Sequence, residues 1–169
     1  RHFSSELERL GVKQILGALN NKSEVFEALN GQDAVLHNAA KASGWGAWDD
    51  FYQTNVIGTQ NIIDGCLQAG IQKLVYTSTP SVVHQGRTTV AGGNEINTPY
   101  ATDFSAFYPH TKKIAEQSLL AANSNQLATV ALRPRLIWGP GDTQLLPRLT
   151  ERAKAGRLRF IGDGDNKMD

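Results

Sequence analysis

The sequence is poor in cysteine, with Cys66 as the only one among 169 residues. A single thiol cannot form a disulfide within the chain, and it cannot supply the group of thiolates that holds a structural zinc ion. Cys66 lies inside an apolar helical pattern, where a small core side chain is expected. We therefore expect no disulfide framework, no metal site and a reducing, cytoplasmic location.

Long hydrophobic runs and an excess of charge are lacking as well. The apolar stretches are short, and the segment Arg1-His2-Phe3-Ser4-Ser5 does not have the composition of a signal peptide, so the sequence predicts no membrane span. Lys and Arg number 17 against 16 Asp and Glu, which gives a formal net charge of +1. The basic residues between 148 and 159 have the spacing of a solvated helix face, and we expect no nucleic-acid partner.

Short apolar segments alternate with helical patterns along the chain. Strands are predicted at 12–16, 34–38, 73–77, 127–132 and 158–161, and helices at 23–29, 47–69, 104–123 and 144–155. Gly70 follows the second helix directly, which is typical of a helix C-terminus. This alternation predicts an α/β fold, a doubly wound parallel sheet of the Rossmann type with helices on both faces.

Residues just after the strands are candidates for function, because ligands of a doubly wound sheet bind beyond the carboxyl ends of its strands. Asn38-Ala39-Ala40 follows one strand, Thr77-Ser78-Thr79 ends another, and Arg133-Pro134 ends a third. Each of these alone is explained as well by packing and turn formation. The region from Thr79 to about Thr102 is too long for a simple connection, and loops of that length usually carry function.

Tyr108 and Lys112 form a Tyr-x-x-x-Lys pattern within the helix predicted at 104–123. Residues four apart project from one face of a helix, so the two side chains can approach each other. An ammonium beside a phenol favours the phenolate, and we expect Lys112 to lower the pKa of Tyr108 from about 10. Tyr108 could then exchange a proton at neutral pH.

With these motifs in this order, the chain resembles the extended short-chain dehydrogenases/reductases, particularly their 3β-hydroxysteroid dehydrogenase-like branch. The resemblance rests on residues 33–40, 54–59, 74–79, Tyr108 with Lys112, and 132–134 leading to 138–142. It implies an NAD(P)-dependent oxidoreductase that interconverts a ketone and a secondary alcohol.

A narrower likeness is to the 2-alkyl-3-oxoalkanoate reductases of bacterial long-chain olefin synthesis. It rests on residues 39–46, 77–83 and 108–112. This likeness implies reduction of a long-chain, apolar 2-alkyl-3-oxoalkanoate to the 2-alkyl-3-hydroxyalkanoate.

Carried over position by position, the resemblance assigns four catalytic residues. Tyr108 would pass a proton to the substrate oxygen, and Thr79 would hold that oxygen by a hydrogen bond, with Ser78 as the alternative. Lys112 would lower the pKa of Tyr108 and bind the nicotinamide ribose, while Asn55 would support the site. The implied cofactor-binding residues are Arg1, Asn38, Ala39, Ala40, Lys41, Thr77, Ser78, Tyr108, Lys112, Pro134, Leu136 and Ile137. Arg1 would fall where a cation meets a 2′-phosphate, which favours NADP over NAD.

The glycine-rich turn that binds a pyrophosphate is not recognisable in this sequence. The Gly-x-Gly pairs at 44–46, 139–141 and 162–164 all lack the third glycine. The resemblance implies that the first strand with its glycine-rich turn, and most of the C-terminal substrate region, are missing from these residues. We expect 1–169 to be a partial NAD(P)-binding Rossmann domain, with the start of the substrate-binding region near 142–169.

Three alternative functions remain open, and the resemblance also bears on how the protein assembles. A nucleotide-sugar dehydratase would carry carboxylates after the threonine, whereas Pro80 and Ser81 follow Thr79. A 3β-hydroxysteroid dehydrogenase and a nucleotide-sugar epimerase remain possible, although no feature of the sequence favours either. A non-catalytic dinucleotide-binding protein would have no need to retain Thr79, Tyr108 and Lys112 together. The helices at 47–69 and 104–123 resemble the pair that forms a four-helix dimer interface in this family, which implies a homodimer.

Overall fold

The computed structural model describes residues 3–43, 45–84, 90–142, 145–159 and 162–163. The chain divides into two compact units, Arg1–Arg133 and Pro134–Asp169. The first unit contains a parallel sheet and the helices packed on it, and the described residues of the second unit form one helix preceded by a turn region.

The sheet has three parallel strands, β1 (Val35–His37), β2 (Lys73–Thr77) and β3 (Ala128–Leu132), in the order β1-β2-β3. Three of the predicted strands are therefore confirmed. The strand predicted at 12–16 is wrong: Val12, Ile15 and Leu16 stay about half exposed, in extended chain that pairs with no described strand. Of the strand predicted at 158–161, residues 158–159 are not strand and residues 160–161 lie outside the described part of the chain.

The predicted helices are present. The first is α2 (Lys22–Leu29). The second is a continuous helical run made of α3 (Trp48–Phe51), a π-helical segment (Tyr52–Ile57) and α4 (Gly58–Ala69). The third and fourth are α5 (Phe107–Ala121) and α6 (Leu145–Lys154). A short helix, α1 (Ser5–Arg9), precedes them and was not predicted. Gly70 ends α4 with a positive φ of 70°, the left-handed conformation that glycine adopts without steric cost.

The core lies on one face of the sheet. Because paired residues of neighbouring strands point the same way, His37 and Tyr76 face one side, and both are buried. Helices α2, α4 and α5 cover that side with apolar residues that include Val25, Leu29, Ile62, Ile63, Cys66, Ala115 and Leu119. Cys66 is fully buried, as predicted.

The opposite face of the sheet carries a row of apolar side chains, Leu36, Val75 and Val130, in register across the three strands. Leu36 is 73% exposed and Val130 is 45% exposed. The described residues thus build one of the two helical layers expected for a doubly wound sheet. None of the described helices is both long and apolar enough to cross a bilayer.

Candidate active site

The carboxyl ends of β1 and β2 meet beside the first turns of α5. The Thr77 hydroxyl donates a hydrogen bond to Asn38 Oδ1, so the residues predicted after two different strands are in contact. The small residues Ala39 and Ala40 continue from Asn38 along this edge. Parallel pairing of β1 with β2 produces the juxtaposition, because it brings both strand ends to one side of the sheet.

The Thr79 side chain lies close to the Tyr108 phenol, and its hydroxyl bonds to Ser81, donating to Ser81 Oγ at 3.3 Å and accepting from Ser81 N at 3.3 Å. Thr79 is 9% exposed and Tyr108 is half-buried. Burial raises the pKa of Tyr108, and the nearby hydroxyl of Thr79 offsets part of that rise. The phenol is therefore protonated at neutral pH.

Lys112 lies one turn further along α5 and is almost fully buried, with 2% exposed. Its Nζ donates to Thr77 O at 2.6 Å and lies 3.9 Å from the centroid of the Tyr76 ring. Burial lowers the pKa of Lys112 to about 8, and the carboxylate of Glu116 opposes that shift. Burial raises the pKa of Tyr108, contrary to the expectation that Lys112 lowers it.

Asn55 connects the loop after β1 to α5. It sits in the π-helical segment with 1% of its surface exposed, and its Oδ1 accepts from Lys41 N at 2.7 Å. Its Nδ2 donates to Lys41 O at 3.1 Å and to Thr111 Oγ at 3.0 Å. Single π-turns inside helices often occur at functional sites. Asn55 holds the backbone of Lys41 and the turn that carries Tyr108 and Lys112 at a fixed separation.

Sequence reasoning missed a buried polar network beside the predicted residues. Glu116, with 1% exposed, forms an ion pair with Arg133 at 2.6 Å and accepts hydrogen bonds from Tyr100 and Ser78. Ser78 is thus turned into the protein and 4% exposed, which corrects its prediction as an alternative donor to the substrate. The signal for Glu116 was its spacing, since it follows Lys112 by four residues on the same helical face.

His37 is a second buried group that the sequence did not single out. It is 4% exposed, and its Nε2 lies 3.0 Å from Thr59 Oγ. The Thr59 hydroxyl donates to Asn55 O at 2.6 Å, so its oxygen accepts from the imidazole N–H. Burial, together with the positive charge of Lys112, lowers the pKa of His37 to about 4.

The remaining predicted cofactor-binding residues lie outside the described residues of the first unit. Arg1 lies outside the described residues. Pro134, Leu136 and Ile137 belong to the second unit and are exposed there. Within that unit a groove of about 980 Å³ has apolar walls and two arginines; its lining includes Leu136, Ile137, Trp138, Leu145, Leu149, Arg148 and Arg152. The described residues contain no group of three or more His, Cys, Asp or Glu side chains that could hold a metal ion.

The whole chain, residues 1–169, matches the model of the 3-beta hydroxysteroid dehydrogenase/isomerase family. The chain belongs to this family. The resemblance inferred from the five sequence blocks is thereby confirmed.

Among curated proteins, the chain is similar to two bacterial enzymes that are named 2-alkyl-3-oxoalkanoate reductase. The protein of Stenotrophomonas maltophilia is 58% identical over 169 residues, which cover 100% of this chain and 51% of that protein. The protein of Shewanella oneidensis is 46% identical over 171 residues, which cover 97% of this chain and 44% of that protein. The chain spans about half the length of these relatives.

The name of a more distant relative describes a reaction on a sterol. The sterol-4-alpha-carboxylate 3-dehydrogenase (decarboxylating) of Homo sapiens is 38% identical over 161 residues, covering 94% of this chain and 43% of that protein. Among solved structures, MoeE5 in complex with UDP-glucose and NAD superposes with a TM-score of 0.72 and 26% identity, over 95% of this chain and 59% of that chain.

Proposed function

We propose that the protein containing this chain is a nicotinamide-dependent ketoreductase that converts a 2-alkyl-3-oxoalkanoate to the 2-alkyl-3-hydroxyalkanoate. The observation that carries this proposal is the half-buried phenol of Tyr108 near Thr79, with the buried ammonium of Lys112 one turn along the same helix and bonded to Thr77 O at the end of β2. The names of the two similar bacterial relatives support the substrate class.

The residues at the sheet edge suit a nicotinamide dinucleotide. Lys112 Nζ has three N–H groups, and the structure accounts for one of them at Thr77 O, so further donors can bind a ribose. Ala39 and Ala40 have small side chains that allow a ligand to lie against the backbone. The bound nicotinamide would supply the hydride. We propose NADP as the cofactor, because the resemblance puts Arg1 at the position where a cation meets the 2′-phosphate. The assay below compares NADPH with NADH.

Tyr108 acts as the general acid in this proposal. Its raised pKa keeps the Oη proton in place at neutral pH, and the Thr79 hydroxyl would share the substrate ketone oxygen with it. As negative charge develops on that oxygen, the proton moves to it from Tyr108 Oη. The ammonium of Lys112 would stabilise the phenolate that remains, while Asn55 keeps α5 in place.

The groove in the second unit supports a long-chain, anionic substrate. Its walls include Ile137, Trp138 and Leu149, which offer apolar surface for alkyl chains. Arg148 and Arg152 also line it, as does Asp142, whose carboxylate accepts from Leu145 N and Leu146 N, and guanidinium groups bind carboxylates in a bidentate manner. A 2-alkyl-3-oxoalkanoate combines alkyl chains with one carboxylate, which matches this lining.

We also propose that the protein is a homodimer that associates through α4 and α5. Leu67 on α4 and Leu120 on α5 are each more than 40% exposed, although the two helices pack against each other in the core. A second copy packed on these two helices would remove both leucine side chains from water.

The test of the function uses the complete reading frame that encodes this chain. NADPH or NADH absorbance is followed with a long-chain 2-alkyl-3-oxoalkanoate, beside the variants Tyr108→Phe and Tyr52→Phe. Loss of the general acid should lower kcat at least about 100-fold in Tyr108→Phe. Tyr52→Phe is the matched control and should keep the parent rate. Absence of turnover in the parent protein would refute the proposed substrate and direct the assay to 3β-hydroxysterols and nucleotide sugars.

A further inference from the structure

The ammonium group of Lys112 lies over the face of an aromatic ring. Its Nζ is 3.9 Å from the centroid of the Tyr76 ring and donates to the backbone carbonyl of Thr77 at 2.6 Å. Tyr76 and Thr77 are adjacent residues of β2, so a side chain and a backbone carbonyl of one strand hold the cation together. Only 1% of Tyr76 and 2% of Lys112 are exposed, so the contact is removed from water.

Tyr76 is itself held in place from both sides of the sheet. It lies on the central strand, where it pairs with His37 of β1 and with Ala131 of β3. Its ring packs against the His37 ring with 5.3 Å between the centroids, and His37 Nε2 lies 3.0 Å from Thr59 Oγ on α4. Because the ring has a fixed place, it can fix the end of the flexible lysine side chain that lies over it.

An aromatic ring in this position stabilises the charged form of the lysine. The face of the ring carries partial negative charge and attracts a cation, and the attraction is larger where both groups are out of water. Burial acts in the opposite direction, because it disfavours the ammonium and lowers the pKa of Lys112 to about 8. The ring thus counteracts the desolvation of the ammonium without placing a second charge beside it.

The other ionisable groups near Lys112 do not replace the ring. They are Glu116 and Tyr108 on α5, His37 on β1 and Arg133 after β3. The carboxylate of Glu116 favours the ammonium, but it also forms an ion pair with Arg133 at 2.6 Å, and the charge of Arg133 opposes its effect. His37, with a pKa of about 4, is neutral at pH 7, and so is Tyr108, whose pKa is raised.

We propose that Tyr76 is a positioning residue of the reaction centre, whose ring holds the Lys112 ammonium in its charged form at the carboxyl end of β2. This inference rests on the proposed function for its effect on turnover, since Lys112 is there the group that stabilises the phenolate of Tyr108. Its structural part, the dependence of the Lys112 charge on the Tyr76 ring, can be tested without a substrate.

The experiment compares Tyr76→Leu, Tyr76→Phe and Leu74→Val in the complete protein. Tyr76→Leu removes the ring and keeps an apolar side chain in the core, whereas Tyr76→Phe is the conservative variant that keeps the ring. Leu74 is 1% exposed and lies on the same face of β2 as Tyr76, so Leu74→Val is a matched control for lost core packing. Circular dichroism checks that each variant is folded, and Tyr76→Met replaces Tyr76→Leu if that variant does not fold.

The first readout is the pKa of Lys112, followed by NMR of protein labelled with ¹³C at the lysine Cε atoms. The signal that is missing from Lys112→Arg identifies the residue. Loss of the ring should lower the pKa of Lys112 from about 8 to about 7, because a desolvated contact between a cation and a ring corresponds to about one pH unit. Tyr76→Phe and Leu74→Val should keep the parent pKa. An unchanged or higher pKa in Tyr76→Leu, or an equal fall in Leu74→Val, would overturn the proposal.

The second readout is the pH dependence of kcat/KM for the ketone, which reports ionisations of the enzyme before the ketone binds. Tyr76→Leu should match the parent at pH 6 and fall about 5-fold below it at pH 8, where fewer of its Lys112 side chains are charged. Tyr76→Phe should restore the parent profile. A loss of packing alone would lower kcat/KM equally at both pH values, and that result would refute the role of the ring. If the parent itself shows no turnover, the proposed function fails, and the titration of Lys112 alone decides on Tyr76.

Discussion

His37 should make the stability of the protein depend on pH above the range in which carboxylates titrate. The imidazole is 4% exposed, and burial lowers its pKa from 6.5 to about 4. Between these two values the unfolded chain binds a proton that the folded protein excludes, so stability rises with pH. The contribution is fully present above pH 6.5 and is lost as the pH falls towards 4.

The magnitude follows from the size of the shift. Each unit of pKa difference corresponds to about 1.4 kcal/mol, and most of the difference is expressed between pH 7 and pH 5. The free energy of unfolding should therefore fall by about 2 kcal/mol over that interval because of His37 alone. Urea unfolding at pH 7, 6 and 5 measures it.

The variant His37→Gln separates this contribution from that of other groups. A glutamine amide can donate to Thr59 Oγ in place of the imidazole, but it does not titrate. The parent should lose about 2 kcal/mol more than His37→Gln between pH 7 and pH 5. His84→Gln, at an exposed histidine, controls for the loss of an imidazole from the surface. An equal loss in the parent and in His37→Gln would show that the buried imidazole is not the source.

Two further predictions concern Asn55 and the dimer. Asn55→Asp removes both hydrogen bonds that Nδ2 donates and buries a charge, so the free energy of unfolding in urea should fall by at least about 2 kcal/mol. Asn61→Asp, which loses one donated bond, should cost less, and an equal cost would contradict the role given to Asn55. Sedimentation velocity should show a dimer for the parent and a monomer for Leu67→Asp, while a monomeric parent would contradict the interface on α4 and α5.

The positions of the helices, three of the strands and the Tyr-x-x-x-Lys motif could be predicted because they depend on local patterns. The 47–69 helix and the strand at 73–77 follow from periodicity, and Gly70 marks the boundary between them. The strand predicted at 12–16 failed because an apolar run becomes a strand only when another strand pairs with it. Such pairing is not visible in a single local segment.

The sequence by itself determined which residues could do chemistry: Tyr108 and Lys112 by their spacing on one helix, and Thr79 by its place after a strand. Only the tertiary structure decided their protonation. Burial raises the pKa of Tyr108 and lowers that of Lys112, and the depth of burial depends on helices packed from distant parts of the chain. The same packing turned Ser78 away from the site and towards Glu116, because a buried carboxylate must find hydrogen-bond donors wherever the fold supplies them.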